Sequence, residues 1–185
     1  MTAAPDTSAI ISPCGAYRYT LSRGWGLTTL ARSNGILTVV MLNPSTADAT
    51  KNDPTIRRVM DFAFGHLFAG IRVLNLFALR ATNPDELLHH PDPVGPHNDQ
   101  HLRAALAAAV DADRPVLAAW GAYAGKKWSA IDRADQVMAL VPGVRWVCLG
   151  TTKHGSPRHP LYVRSTQPMV PFAMGSVDAA KEPTP

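Results

Sequence analysis

Long apolar runs, cysteine frameworks and glycine-rich phosphate loops are all missing from this 185-residue chain, and each absence removes a class of function. No stretch approaches the roughly 18 consecutive apolar residues of a membrane span. Met1 to Ser12 also lacks the basic-then-apolar order of a secretory signal, so a soluble, cytoplasmic protein is expected. Cys14 and Cys148 are the only two cysteines, too few for a disulfide framework or a four-cysteine zinc or iron–sulfur site; both read as reduced, mostly buried thiols. No strand-like segment is followed by a Walker or dinucleotide glycine pattern, which leaves nucleoside triphosphate hydrolysis and nicotinamide chemistry without support. A serine nucleophile elbow is absent too, since Ser45 follows Pro44 and Ser156 sits between Gly155 and Pro157. Charge is sparse at 17%, and its balance of +4 permits a polyanionic partner without requiring one.

What remains is an ordinary globular composition, 46% hydrophobic, that suits a single α/β domain over residues 14–174. The proline-containing and small-residue ends, 1–13 and 175–185, are expected to be flexible. Tyr17–Leu21 and Leu27–Ala31 around Ser22-Arg23-Gly24 read as a β-hairpin. Ile36–Leu42 is an apolar β-branched run, the pattern of a strand covered on both faces. Asp53-Pro54 then offers an N-cap with proline at the first helical position, and Ile56, Val59, Met60, Ala63 and Leu67 keep helical spacing toward Gly70. Strand 71–77, a helix capped by Asn98, strand 115–120, a helix within 122–141 and strand 144–149 complete the order. Strands alternating with helices imply a three-layer α/β/α sandwich around a four-stranded, mostly parallel sheet.

In such a sheet the ligand crevice lies beyond the carboxyl ends of the strands. The segments leaving them are Asn43-Pro44-Ser45-Thr46-Ala47-Asp48, Asn75 with Arg80 to Asn83, Trp120-Gly121, and Gly150 to Pro160. A lone loop asparagine commonly bonds its own backbone, and a His-Pro pair commonly just shapes a turn. Their convergence on one crevice favours function. Asp53 is explained as a helix cap and Asp99 as a first-turn carboxylate, which leaves Asp48 as the candidate general base. Among the seven histidines, His89, His90, His97 and His101 lie close together, yet no glutamate completes a metalloprotease pattern; they read as a solvated loop, and neither metal nor cofactor is expected.

The stretches 41–48, 53–58, 75–82, Asn98-Asp99, Trp120-Gly121 and 155–162 resemble the bacterial domain-of-unknown-function family 1643 over about residues 14–165. More distantly, the order of elements resembles the uracil-DNA glycosylase superfamily, with Asn43-Pro44 similar to the motif after the first strand of its mismatch-specific branch and His159-Pro160 similar to the late motif. That resemblance implies an α/β/α fold in which Asn43 orients the attacking water and His159 contacts the departing base.

Cleavage of an N-glycosidic bond needs a placed water and hydrogen bonds to the base as it leaves. Asn43, Asp48 and His159 are the catalytic candidates. Arg80, Lys153 and Arg158 are candidate phosphate contacts, and Phe77 or Trp120 a stacking surface for an extruded base. Pro44, Ser45, Thr46, Asn75, Asn83 and Tyr162 complete the expected substrate contacts. The partner expected is a nucleic acid or nucleotide. Two rival readings use the same crevice: a non-catalytic module that binds a nucleotide or nucleic acid, and an enzyme acting on free modified nucleosides or nucleotides.

Overall fold

The computed structural model describes residues 7–25, 34–45, 47–122 and 128–174, with 128–131 by their backbone alone. Seven strands among the described residues form one mixed sheet: β1 (Thr7–Ile11), β2 (Arg18–Gly24), β3 (Ile36–Met41), β4 (Gly70–Asn75), β5 (Val116–Ala118), β6 (Trp146–Cys148) and β7 (Val170–Pro171), in the spatial order β1-β2-β4-β3-β5-β6-β7. The expected parallel strands are its centre, β4-β3-β5-β6. The sheet is nonetheless larger and mixed rather than four-stranded, because β1, β2 and β7 add antiparallel edges.

Two of those edges correct the sequence reading. Residues 7–11, within the segment expected to be flexible, pair with β2 as β1. Ser22-Arg23-Gly24 is not a turn but the end of β2, where Arg23 pairs with Ile71 and Gly24 with Gly70. A hairpin exists, but its partner strand precedes β2; the proposed second strand, Leu27–Ala31, lies outside the described residues, as does 175–185. Two-residue β7 escaped notice because Val170-Pro171 is too short to show any periodicity.

Three helices among the described residues cover the sheet: α1 (Pro54–Gly65), α2 (Asn98–Asp111) and α3 (Trp128–Met138). Ile56, Val59, Phe62 and Ala63 of α1 pack on Leu37, Val39, Ile71 and Val73 on one face. Leu102, Ala105 and Leu106 of α2, with Ala134 and Val137 of α3, pack on Val40, Leu74, Val116 and Ala118 on the other. Successive strand residues thus supply two separate cores, as alternation of side chains across a sheet requires. The Asp53 cap forms as expected, its Oδ1 accepting from the Ile56 amide at 2.8 Å. Helix α1 stops earlier than the spacing implied: Leu67 takes φ 61° and is 63% exposed, so it ends the helix instead of joining the core. Asn98 is the first residue of α2 rather than its cap, and His97 in the cap position makes no side-chain cap bond. No described helix is long and apolar enough to cross a membrane.

Candidate functional site

The crevice beyond the parallel strands is a cleft of about 700 Å³, lined from every strand exit. At the end of β3 the ladder continues for two residues, with the Leu76 and Phe77 amides donating to the carbonyls of Met41 and Leu42. Pro44 then turns the chain. Asn43 Nδ2 donates to the carbonyls of Pro44 (3.1 Å) and Ala81 (2.8 Å), which fixes the orientation of the carboxamide. Its Oδ1 accepts no hydrogen bond among the described residues.

The late segment folds on itself. Thr151 and Pro157 form a bridge, the Thr152 amide donates to Ser156, and the Arg158 amide donates to Gly150. Arg58 of α1 then holds the exit through the carbonyls of Pro160 and Val163. His159, half-buried in the cleft wall, accepts at Nδ1 from the Leu161 amide at 3.3 Å, so its neutral ring carries the proton on Nε2. Burial pushes its pKa below the usual imidazole value, opposed by the Asp53 carboxylate. Gly121 makes room for it: at φ 78°, a Cβ there stands 3.1 Å from the Cβ of His159.

Asp48 is corrected by its surroundings. It does not line the cleft; its Oδ1 accepts from the Thr50 and Lys51 amides and the Thr50 hydroxyl, a turn-stabilising arrangement. Those bonds, led by the Thr50 amide, hold its pKa below the usual carboxylate value and make it a poorer base. The carboxylate in the cleft is Asp53, dismissed from sequence as a cap. One oxygen does cap α1; the other takes no hydrogen bond among the described residues.

Asn75, 1% exposed at the end of β4, lines the cleft with both carboxamide atoms lacking a hydrogen-bond partner among the described residues. Trp120 lines it too, with its ring packed roughly perpendicular to Trp146 (centroids 6.2 Å) and Phe172 (5.7 Å) and its buried indole N–H without an acceptor among the described residues. Phe77 is buried in the core on the α2 side and does not reach the cleft, which removes it as a stacking surface. Tyr162 is the exposed aromatic, 82% accessible at the rim with its ring 5.7 Å from that of His159.

Ser45, Lys153 and Arg158 line the cleft, the last with Nε donating to the Thr151 carbonyl. Three other expected contacts have structural duties outside it. Pro44 is buried with its carbonyl accepting from Asn43 and Ala81; Arg80 donates to the Gly15 carbonyl; Asn83 caps the short 3-10 helix Pro84–Leu88 through a reciprocal box with Glu86. Thr46 lies outside the described residues. Nor do the clustered histidines form a solvated loop only: His101 stacks on Tyr19 at 4.9 Å and His97 meets its edge at 5.9 Å.

Sequence reading missed Arg18. It is 2% exposed, lines the cleft, and donates from Nη1 to the Ala47 carbonyl at 2.7 Å, while its buried Nε has no protein partner. In sequence it alternates with Tyr17 and Tyr19 on the polar face of a strand, the pattern of an exposed residue. Its hydrogen bond to the Ala47 carbonyl ties it to the connection between β3 and α1, a contact no local pattern reveals.

A family model described as "Protein of unknown function (DUF1643)" matches residues 18–161. The chain belongs to the DUF1643 family. The matched span contains all the strand exits that build the cleft, from Arg18 to His159, and stops just short of Tyr162. No curated protein and no solved structure matches the chain.

Proposed function

We infer that this DUF1643 cleft binds a nucleobase and hydrolyses the N-glycosidic bond that carries it. The observation that carries this reading is Asn75. A buried carboxamide with donor and acceptor both unmade is costly to fold, and is matched by a ligand edge that presents a carbonyl beside a ring N–H, as uracil and hypoxanthine do. The cleft volume, about 700 Å³, falls in the range of nucleotide-sized ligands.

The chemistry then has named parts. A water held by the free Oδ1 of Asn43 attacks the anomeric carbon and gives its proton to the unbonded oxygen of Asp53. The carbon–nitrogen bond breaks, its electron pair leaves with the base, and the Nε2–H of His159 donates to the base oxygen on which that charge collects. A neutral imidazole is the right donor here, and the lowered His159 pKa keeps it neutral at physiological pH. Tyr162 at the rim supplies the stacking surface. The resemblance to uracil-DNA glycosylases at Asn43-Pro44 and His159-Pro160 supports the same assignment.

The test is base release from oligonucleotides, nucleosides and nucleotides carrying uracil, hypoxanthine or other altered bases. Wild type is expected to release one of them, with Asn43→Ala and His159→Ala slower by about 10- to 1,000-fold at unchanged melting temperature. A compound bound tightly but never cleaved overturns the hydrolase and leaves a nucleotide-binding module.

A further inference from the structure

Among the described residues, the acidic and basic side chains of the cleft wall are unevenly balanced. Lys153 and Arg158 are exposed cations at the mouth, Arg18 is a cation with 2% exposure, Asp53 is a carboxylate, and burial favours the neutral form of His159. Arg18 is the unusual member. It forms no ion pair among the described residues, has one hydrogen bond to a backbone carbonyl, and keeps a buried Nε–H without a protein acceptor. Burial draws its pKa down to about 10, only partly offset by Asp53. Arginines with such burial are ordinarily paired, because a desolvated guanidinium costs several kcal/mol, on the order of a whole domain's margin of stability.

A base extruded from a nucleic acid enters such a cleft as a neutral ring while its phosphates stay at the mouth with Lys153 and Arg158. That geometry leaves Arg18 unanswered. A free nucleotide brings an anion into the cleft with its base. Building on the nucleobase reading above, we propose that the ligand of this cleft is a free nucleoside monophosphate, with Asn75 reading the base edge and Arg18 receiving the phosphate. The planar guanidinium suits this role, since charge-assisted N–H donation to phosphate is stronger than a neutral hydrogen bond and directional.

Calorimetric titration of wild-type protein with uridine and inosine, their 5′-monophosphates, ribose 5-phosphate and a short single-stranded oligodeoxynucleotide carrying uracil and hypoxanthine tests the proposal. The expected result is a monophosphate bound at least about 10-fold more tightly than its nucleoside and than the oligonucleotide. Arg18→Gln should bring the monophosphate down to the affinity of the nucleoside, and Arg18→Lys should fall between. If Arg18→Gln does not fold, the wild-type ratio of monophosphate to nucleoside still decides. Equal binding of nucleoside and monophosphate overturns the phosphate anchor while leaving the base reading intact. Ribose 5-phosphate binding as tightly as both monophosphates leaves the anchor in place and removes the base reading, which overturns the nucleotide as ligand. Tightest binding by the oligonucleotide overturns the proposal in favour of a polymer.

Discussion

The two faces of the sheet hold their buried arginines differently at the same strand end, although the Oδ1 of Asn98 on the α2–α3 side is unpartnered among the described residues as well. On the α2–α3 side, Arg133 is 5% exposed and donates from Nε to the Leu76 carbonyl at 2.9 Å and from Nη2 to the Asp99 carboxylate. Asn98, fully buried beside it, donates to the carbonyls of Asn75 and Leu76, each at 3.1 Å. These groups secure the point where β4 runs out and its carbonyls lose sheet partners. In the cleft, Arg18 and the Asn75 side chain are equally buried, yet the guanidinium Nε and both carboxamide atoms meet no protein partner. An unmade buried hydrogen bond costs about 1–3 kcal/mol, and although Asn98 Oδ1, Arg80 Nε and the Tyr19 hydroxyl carry that cost away from the cleft, in the cleft such groups gather where a ligand can complete them. One arginine and one asparagine hold the scaffold; their counterparts face the ligand.

The widest gap should separate the arginines. Arg133→Ala exposes the Leu76 carbonyl and frees Asp99, with an expected loss of about 2–4 kcal/mol read by chemical denaturation. Arg18→Met removes a buried charge that has no ion pair, so stability should change by less than about 1 kcal/mol or rise. Equal losses would show that Arg18 is structural after all. Next come the asparagines: Asn98→Ala strips a side-chain donor from the Asn75 carbonyl and one of two from the Leu76 carbonyl, and should cost about 1–3 kcal/mol, whereas Asn75→Ala should cost clearly less while abolishing base-dependent binding.

Gly121→Ala should be smaller still in stability, about 1 kcal/mol, because it forces a non-glycine residue to φ 78°. Its informative effect is on His159, 3.1 Å from the added methyl: activity should fall more than stability implies. The smallest effect is a titration. His159 should protonate below 6.5, the direction set by its burial. A histidine whose folded pKa is depressed contributes stability that is complete above the unfolded value and is lost as pH falls from there toward the folded one. Any acid limb of activity that belongs to His159 should accordingly lie below pH 6.5, and NMR titration of its ring would detect a normal or raised value.

These contrasts also mark what was legible in the sequence. Central strands announced themselves because a parallel strand buried on both faces is an unbroken apolar run, as in Ile36–Met41, and α1 because Asp53-Pro54 opens a periodic stripe. Of the antiparallel edges, β2 was read in part, as Tyr17–Leu21, but β1 and β7 were not: Thr7–Ile11 is short and exposed, so its order depends on pairing with β2 rather than on its own composition. In the cleft, Asn43, Asn75, Trp120 and His159 could be picked out because strand ends point where ligands bind. Asp53 and Arg18 could not. An N-cap explains an aspartate so well that its second oxygen goes unconsidered, and the partner of Arg18, the Ala47 carbonyl, lies at a sequence separation of 29, beyond the reach of any local pattern.

Side-chain NMR during titration with uracil- and hypoxanthine-containing bases, nucleosides and nucleotides tests most directly whether the unpaired groups exist for a ligand. The carboxamide protons of Asn75 and the indole N–H of Trp120 should shift downfield together and saturate at one affinity, while the carboxamide of Asn98, already bonded to two carbonyls, stays in place. Saturable binding that moves Asn98 or distant residues but leaves Asn75 and Trp120 unchanged, or a panel in which no compound moves either, would contradict it.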